Sequence, residues 1–267
     1  MNKAQEKINE LWTRGAKNYN RIIDDEINSF RSAGWKKQIL SQVKTEGELE
    51  ILDCGCGPGF FSCIMAQEGH HVTGIDGSEL MLSFAIQRAK ELGLSVNYKL
   101  MDCHELDFED NSFDLIISRN VTHTLRDHKA VYSQWMRVLK PGGVLLIFDA
   151  NWHLSRYGYS EHEESVRRYV ECMKKYGSDF SGNIYDGNEE ALLERFKKHS
   201  PDENEVWDNV LKDKIRPDWD AGLLHGIGFA NVDYDRDIIE NLWDDKEKLI
   251  YGNTPMFMIR AEKPRKA

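Results

Sequence analysis

Several things are missing from this sequence, and each absence narrows the reading. No run approaches the roughly 18 to 20 uninterrupted apolar residues of a membrane span. The opening residues, MNKAQEKINELW, carry no apolar signal core, so the expectation is a cytoplasmic chain with no membrane partner. Five cysteines, at 54, 56, 63, 103 and 172, are an odd number without a Cys-x-x-Cys pair. That argues against a disulfide framework and offers no four-ligand zinc spacing, so no metal is expected. Basic residues are also short, 35 Lys and Arg against 45 Asp and Glu, for a net charge of −10. Only the last residues, KPRKA, form a small basic cluster, read as a solvated tail. Proteins that grip nucleic acid show a basic stripe, so a nucleic-acid partner is disfavoured. There is no internal repeat and no low-complexity tract.

What is present is a 267-residue chain, 40% hydrophobic and 30% charged, long enough for a well-cored domain with an elaboration. Residues 2–46 read as helical. Ile8, Leu11, Trp12, Tyr19, Ile22 and Ile23 recur at helical intervals, with breaks expected near Gly15 and Gly34. From Glu48 the pattern changes to short apolar strands, predicted at 49–54, 71–76, 96–101, 113–118 and 144–149. Helices at 60–68, 78–92 and 128–139 alternate with them. Such units imply a doubly wound, mostly parallel α/β sheet covered on both faces, with right-handed crossovers. Residues 152–216 interrupt the alternation with helices at 163–175 and 189–199 and many aromatic rings. This stretch is too long for a simple connection and reads as a cap. A helix at 217–228 and strands at 231–236 and 254–261 complete the sheet at seven. The expected domains are an N-terminal helical cap (1–46), a Rossmann-like domain (47–151 and 217–267) and a helical insertion over the substrate (152–216).

Strand one runs into a glycine-rich turn, LEILDCGCGPGF, that carries the acid Asp53. A dinucleotide site places pyrophosphate on the next helix N-terminus, where this carboxylate would repel it. It also requires a third small residue three places on. Phe60 fits badly there in one register, and Ser62 is a weak substitute in the other.

The spacing Asp53-x-Gly55-x-Gly57-x-Gly59 resembles the first motif of class I S-adenosylmethionine-dependent methyltransferases. That ligand has no phosphate, and it carries an ammonium group and a sulfonium. An acid at the turn is then an asset, while the glycines let the backbone approach. The register continues. Asp76 closes strand two, where an acid can accept both ribose hydroxyls. Asp102, in Met101-Asp102-Cys103-His104, stands where that family contacts the adenine, and Lys140-Pro141-Gly142-Gly143 looks like its turn before strand five. By this resemblance Phe60, Gly77, Met81, Cys103 and His104 join the cofactor set. Backbone at Arg119 and Asn120 would lie along the methionine moiety. Tyr19 resembles an aromatic that caps the methionine end in the branch near the ubiquinone and menaquinone methyltransferases; a packed core tyrosine is the other reading.

The resemblance implies a Rossmann-like methyltransferase fold and methyl transfer to a small-molecule acceptor near the exits of strands four and five. A general base is needed only if the acceptor binds protonated, and His123 and His153 are the candidates. Trp152 and Tyr157, nearest strand five, are the candidate substrate contacts. A divalent ion between His123, Asp149 and His153 is a minor alternative. So are a protein or RNA acceptor, a dinucleotide oxidoreductase and a non-catalytic fold relative. No Asn-Pro-Pro-aromatic signature of nucleic-acid amino-methylating enzymes follows strand four. The acceptor and the oligomeric state stay open.

Overall fold

The computed structural model describes residues 3–44, 47–152, 159–180, 183–197, 211 and 213–265. Its centre is a seven-stranded sheet in the order β3-β2-β1-β4-β5-β7-β6. The first five strands are β1 (Glu50–Cys54), β2 (His71–Asp76), β3 (Asn97–Leu100), β4 (Phe113–Arg119) and β5 (Leu139–Asp149). Each of these pairs with its neighbours among the five in parallel. The last two, β6 (Ala230–Asp235) and β7 (Phe257–Glu262), are antiparallel additions, with β7 paired to β5. The chain moves outward from β1 on one side and from β4 on the other. The switch point therefore falls between these two strands, where a crevice opens beyond their carboxyl ends.

Side-chain alternation divides the core across the sheet. Leu115 and Ile117, with Val144, Leu146 and Phe148, join one buried cluster. The intervening Ile116, Leu145 and Ile147 join the other. That period of two sends successive residues to opposite faces, and helices must cover both. Helices α2 (Phe30–Leu40) and α3 (Phe60–Gln67) supply Trp35, Ile39, Phe61 and Ile64 to the first cluster. Helix α5 (His128–Val138) and α8 (Asp218–Ile227) supply Val131, Trp135 and Leu224 to the second. Between β2 and β3 lies α4 (Glu79–Glu91), capped by the Ser78 side chain on the Met81 N–H.

Strand five begins earlier than the sequence pattern indicates. Lys140-Pro141-Gly142-Gly143 lies inside the paired span, and a shift in register between Phe113 and Leu115 absorbs it. Between β5 and β6 come α6 (Tyr159–Tyr176) and α7 (Glu189–Lys197), with a small core of Val170, Met173 and Leu192. An unanticipated helix, α9 (Asp245–Tyr251), precedes β7 and is started by a capping box between Asp244 and Glu247. Arg31 of α2 pairs with both of these carboxylates at 2.6 Å. No helix among the described residues is long and apolar enough to cross a membrane.

The N-terminal helices break at a different place from the glycines. Helix α1 (Lys3–Ile27) runs through Gly15 without interruption, and Gly34 lies inside α2. The turn falls at Asn28-Ser29, because Ser29 adopts an extended backbone and its hydroxyl accepts the Arg31 N–H at 3.2 Å. Gly15 has nothing within 4 Å of the position its Cβ would take, whereas a Cβ at Gly34 would stand 2.8 Å from the Asn241 carbonyl oxygen. Helix propensity alone favours alanine at both positions by up to about 1 kcal/mol. Thermal unfolding is therefore expected to show Gly15→Ala raising the Tm by about 1–3 °C and Gly34→Ala lowering it. Equal shifts in the two variants would mean that the approach of α2 to Asn241 is looser than described.

Candidate cofactor and acceptor site

At the switch point lies a cleft of ≈ 950 Å³ counted out to its mouth. The glycine turn forms its floor. Gly55, Gly57 and Gly59 all have positive φ, so the turn reverses direction within six residues of the end of β1. A Cβ at Gly55 would lie 2.3 Å from Val121, so only glycine lets the β4 exit approach this closely. Asp53, Gly55, Gly57 and Phe60 line the cleft from this side. Asp76, Gly77 and Met81 line it from β2 and α4; Asp102 and Cys103 from the β3 exit; Arg119 and Asn120 from β4. Tyr19 lines it from α1.

Two residues expected in this set stand behind the lining. Gly59 faces α4 and β3, with Ala85 and the Tyr98 hydroxyl against it, because it starts α3. His104 is turned onto Asp102, donating Nδ1–H across 2.7 Å. Sequence reasoning missed the wall supplied by Gln5, Ile8, Asn9, Trp12 and Ile23 of α1. Their helical spacing was visible, but nothing in it says which body the stripe covers.

The electrostatics favour a cation. Asp53 is 2% exposed, and its Oδ2 accepts a hydrogen bond from Ser62 Oγ at 2.6 Å. Burial pushes its carboxyl up to about 6, against the opposing pull of Ser62 and Arg119. Asp76 accepts the Gly57 N–H at 2.9 Å and the Ser78 N–H at 2.8 Å, one on each oxygen. Two lone pairs then stay available for hydroxyl donors. Burial also raises Asp76, against these backbone hydrogen bonds. Arg119 is the one lysine or arginine among the described residues of the lining. Its guanidinium is forked onto Glu26 at 2.5 and 3.0 Å and packed over Phe60 and Phe61. Asp53 and Asp76 thus face the cleft without a dedicated positive partner.

The fit of S-adenosylmethionine rests on a further detail. Asn120 is held at φ 56, and its buried Oδ1 has no hydrogen-bond partner. An orphan acceptor in a left-handed residue beside the cleft suits a donor such as an ammonium group. Together with Asp53, Asn120 would hold the ammonium and Asp76 the ribose.

Asp102, in contrast, is already engaged. Beyond His104, it pairs with Arg126 at 2.9 Å. Burial opposes ionisation there, but these partners hold the carboxyl well below its usual range; Asp102 and Cys103 in turn lift His104, against burial, to about 9. Asp102, Cys103 and His104 bring ligand-type atoms within 4.8 Å of one another, but the Arg126 cation beside Asp102 disfavours a metal ion there.

Towards the acceptor side, His123 follows β4 in a 3-10 turn and meets Trp12 edge-on at 6.4 Å. Its Nδ1 lies 2.9 Å from Asp149 Oδ1. Arg216 also contacts Asp149, at 3.2 Å, which puts a positive charge where a divalent ion would need to stand. Trp152 does not reach the cleft lining. It stacks on Trp243 and meets Tyr251, drawn into the core beneath α9. His153 and Tyr157 lie outside the described residues.

Comparison with known proteins agrees with this geometry. Residues 52–147 match a family model described as a methyltransferase domain. A demethylmenaquinone methyltransferase of Listeria welshimeri is 32% identical over 183 residues, which cover 66% of this chain and 75% of that protein. The phosphoethanolamine N-methyltransferase 1 of Arabidopsis thaliana is 28% identical over 218 residues, 77% of this chain. The chain spans only 44% of that plant relative. In structure, phosphoethanolamine N-methyltransferase 2 of Haemonchus contortus, solved with phosphomonomethylethanolamine and S-adenosylhomocysteine, superposes with a TM-score of 0.63. That match covers 99% of this chain and 61% of the other at 19% identity, a likeness of fold. The chain belongs to the class I S-adenosylmethionine-dependent methyltransferases.

Asp53 sets a stability against a function. Its folded-state pKa lies above the unfolded value of 3.8, so its contribution to stability is greatest below 3.8 and is lost as pH rises towards about 6. The loss is on the order of 3 kcal/mol. Asp53→Asn is therefore expected to raise the Tm by several degrees at about pH 8, while weakening the binding of S-adenosylhomocysteine measured by calorimetry. A variant that is neither more stable nor weaker in binding would contradict this assignment.

Proposed function

We propose that the protein is an enzyme that transfers a methyl group from S-adenosylmethionine to a small-molecule acceptor. The observation that carries this reading is the acidic cleft, in which Asp53 and Asp76 are uncompensated while Arg119 is committed to Glu26. A pyrophosphate ligand would meet repulsion there; a sulfonium with an ammonium group meets attraction. The donor supplies an activated methyl with its leaving group attached. The protein's part is then to align the acceptor and exclude water.

In this reading α1 is the inner wall of the reaction chamber, with Trp12 and Tyr19 over the methionine end. The cover over its outer side is assigned to the insertion, whose described helices are α6 and α7. Asp149 is ionised and accepts the Nδ1 proton of His123, so Nε2 is the nitrogen that can take a proton from an acceptor binding in its protonated form. Amines and hydroxyls are the acceptor types that need this step, and the phosphoethanolamine named in the plant relative is the first to test. A cytoplasmic location belongs to this reading and would keep the five free cysteines reduced.

Incubation with labelled S-adenosylmethionine and a panel of phosphoethanolamine, demethylmenaquinone, RNA and mixed protein tests the assignment. Label is expected in a small molecule. Label only in macromolecules, or none with any acceptor, would overturn it. His123→Gln is expected to lower kcat by about 10²–10⁴-fold and to leave S-adenosylhomocysteine affinity within about twofold, because His123 is not in the cleft lining. Unchanged kcat would remove His123 from the chemistry.

A further inference from the structure

Beneath the exits of β4 and β5 lies a buried polar assembly of which the steps above use Asp149 alone. Thr122, Tyr132, Asp149 and Asp220 are fully buried, and Arg216 is 1% exposed. We infer that Arg216 is a positioning residue that keeps Asp149 a pure hydrogen-bond acceptor and so fixes the tautomer of His123. The inference deepens the reading of His123 as a base and rests on it.

The geometry is that of a cation shared between two buried acids. Arg216 Nε donates to Asp220 Oδ2 at 2.6 Å and Nη2 to Asp220 Oδ1 at 3.2 Å. Nη1 reaches Asp149 Oδ2 at 3.2 Å. Nη2 also donates to Thr122 Oγ1, which donates in turn to Asp149 Oδ2 at 2.6 Å. Tyr132 donates its hydroxyl to Asp220 Oδ1. The backbone of Arg216 is fixed as well: its N–H donates to Asn151 Oδ1 at 3.2 Å, and its carbonyl accepts from Asn151 Nδ2 at 2.9 Å. The guanidinium lies over the Phe257 ring at 5.0 Å. The rigid fork spans two carboxylates and a hydroxyl at once, which an ammonium cannot do.

The consequence follows from counting protons. Two carboxylates this deep do not both stay ionised without a cation, because burial favours the neutral acid. With Arg216 in place, burial is outweighed by His123 and Arg216, and Asp149 is held well below the usual carboxylate range. An ionised Asp149 has no proton to give. Its Oδ1 takes the Nδ1 proton of His123, and its Oδ2 takes the His123 backbone N–H at 2.8 Å. Remove the cation and Asp149 gains a proton. Its O–H then donates to Nδ1, and the imidazole proton moves to Nε2, where a base needs a lone pair. His128, whose Nε2 donates to the Thr122 carbonyl at 2.7 Å, is held neutral by burial first and then by the Arg216 charge beside it, down to about 4; burial is the part of that hold that remains when Arg216 is replaced.

Arg216 stands where the chain returns from the insertion to the sheet. The connection that closes the insertion therefore sets the protonation pattern of a residue after β4.

Nitrogen-15 NMR of histidine-labelled protein, with His123 assigned by loss of its signals in His123→Gln, reads the tautomer directly. Wild type is expected to show the proton on Nδ1. Arg216→Gln is expected to shift it towards Nε2, to lower kcat by at least about tenfold and to leave S-adenosylhomocysteine affinity unchanged. Arg216→Lys, which keeps the charge without the fork and so reports even if the neutral variant does not fold, should show both tautomers and an intermediate kcat. The wild-type tautomer persisting alone in either variant would overturn the inference. If it does so while His123→Gln is inactive, the base reading stands and only the positioning role fails. If the tautomer shifts but His123→Gln is fully active, the positioning role stands and the base reading fails.

Discussion

The site depends on one electrostatic arrangement: a carboxylate, Asp53, placed at the end of a buried parallel strand with only a hydroxyl and a distant guanidinium to stabilise it. A buried acid at this point weakens the fold at neutral pH. In the proposed reading its position prepares for a cationic ligand, which would supply the missing counter-charge on binding. The glycines serve the same end, by letting strand β4 and the turn close on each other until the ligand meets backbone rather than side chain. Arg119 could have cancelled the negative charge, but Glu26 of α1 holds it away. The helix that forms the inner wall thus also sets the charge of the cleft.

The two halves of the crevice use buried charge in opposite ways. In the cleft, Asp53 and Asp76 are left short of cations and their carboxyls are pushed up. On the acceptor side, Asp149 is surrounded by donors and held down, with Arg216 as its strongest neighbour after His123. A carboxylate poised to gain a positive ligand and a carboxylate locked as an acceptor do different work. The β4 exit, from Arg119 to His123, runs between the two.

Much of this was legible in the sequence. Strand β2 and the helix after β4 could be placed almost to the residue, because period-two apolar runs and glycine or serine boundaries leave few alternatives. Asp53, Asp76 and Asp102 could be aligned since each lies within two residues of a strand end, and strand ends are fixed by topology. What could not be read is where those carboxylates point. Asp102 reaches the cleft lining but also holds His104 and Arg126, the latter from a loop more than twenty residues away. Arg216 gave no signal either, since its partners lie 4, 67 and 94 residues from it in sequence. The breaks expected at Gly15 and Gly34 failed because packing and a serine cap outweigh the weak cost of a helical glycine. Helix α9 did announce itself, through the spacing of Asp244 and Glu247, a capping signal that the strand-centred pattern obscured. Trp152 was drawn into packing, as aromatic residues near a strand end commonly are.

The most direct measurement is calorimetric titration of the protein with S-adenosylmethionine across the pH range that brackets the Asp53 ionisation. A cation that depends on this carboxylate binds with an affinity that rises as pH passes through about 6 and is level above it. Affinity that is flat through that range, or heat seen only with a pyrophosphate-bearing dinucleotide, would contradict the account.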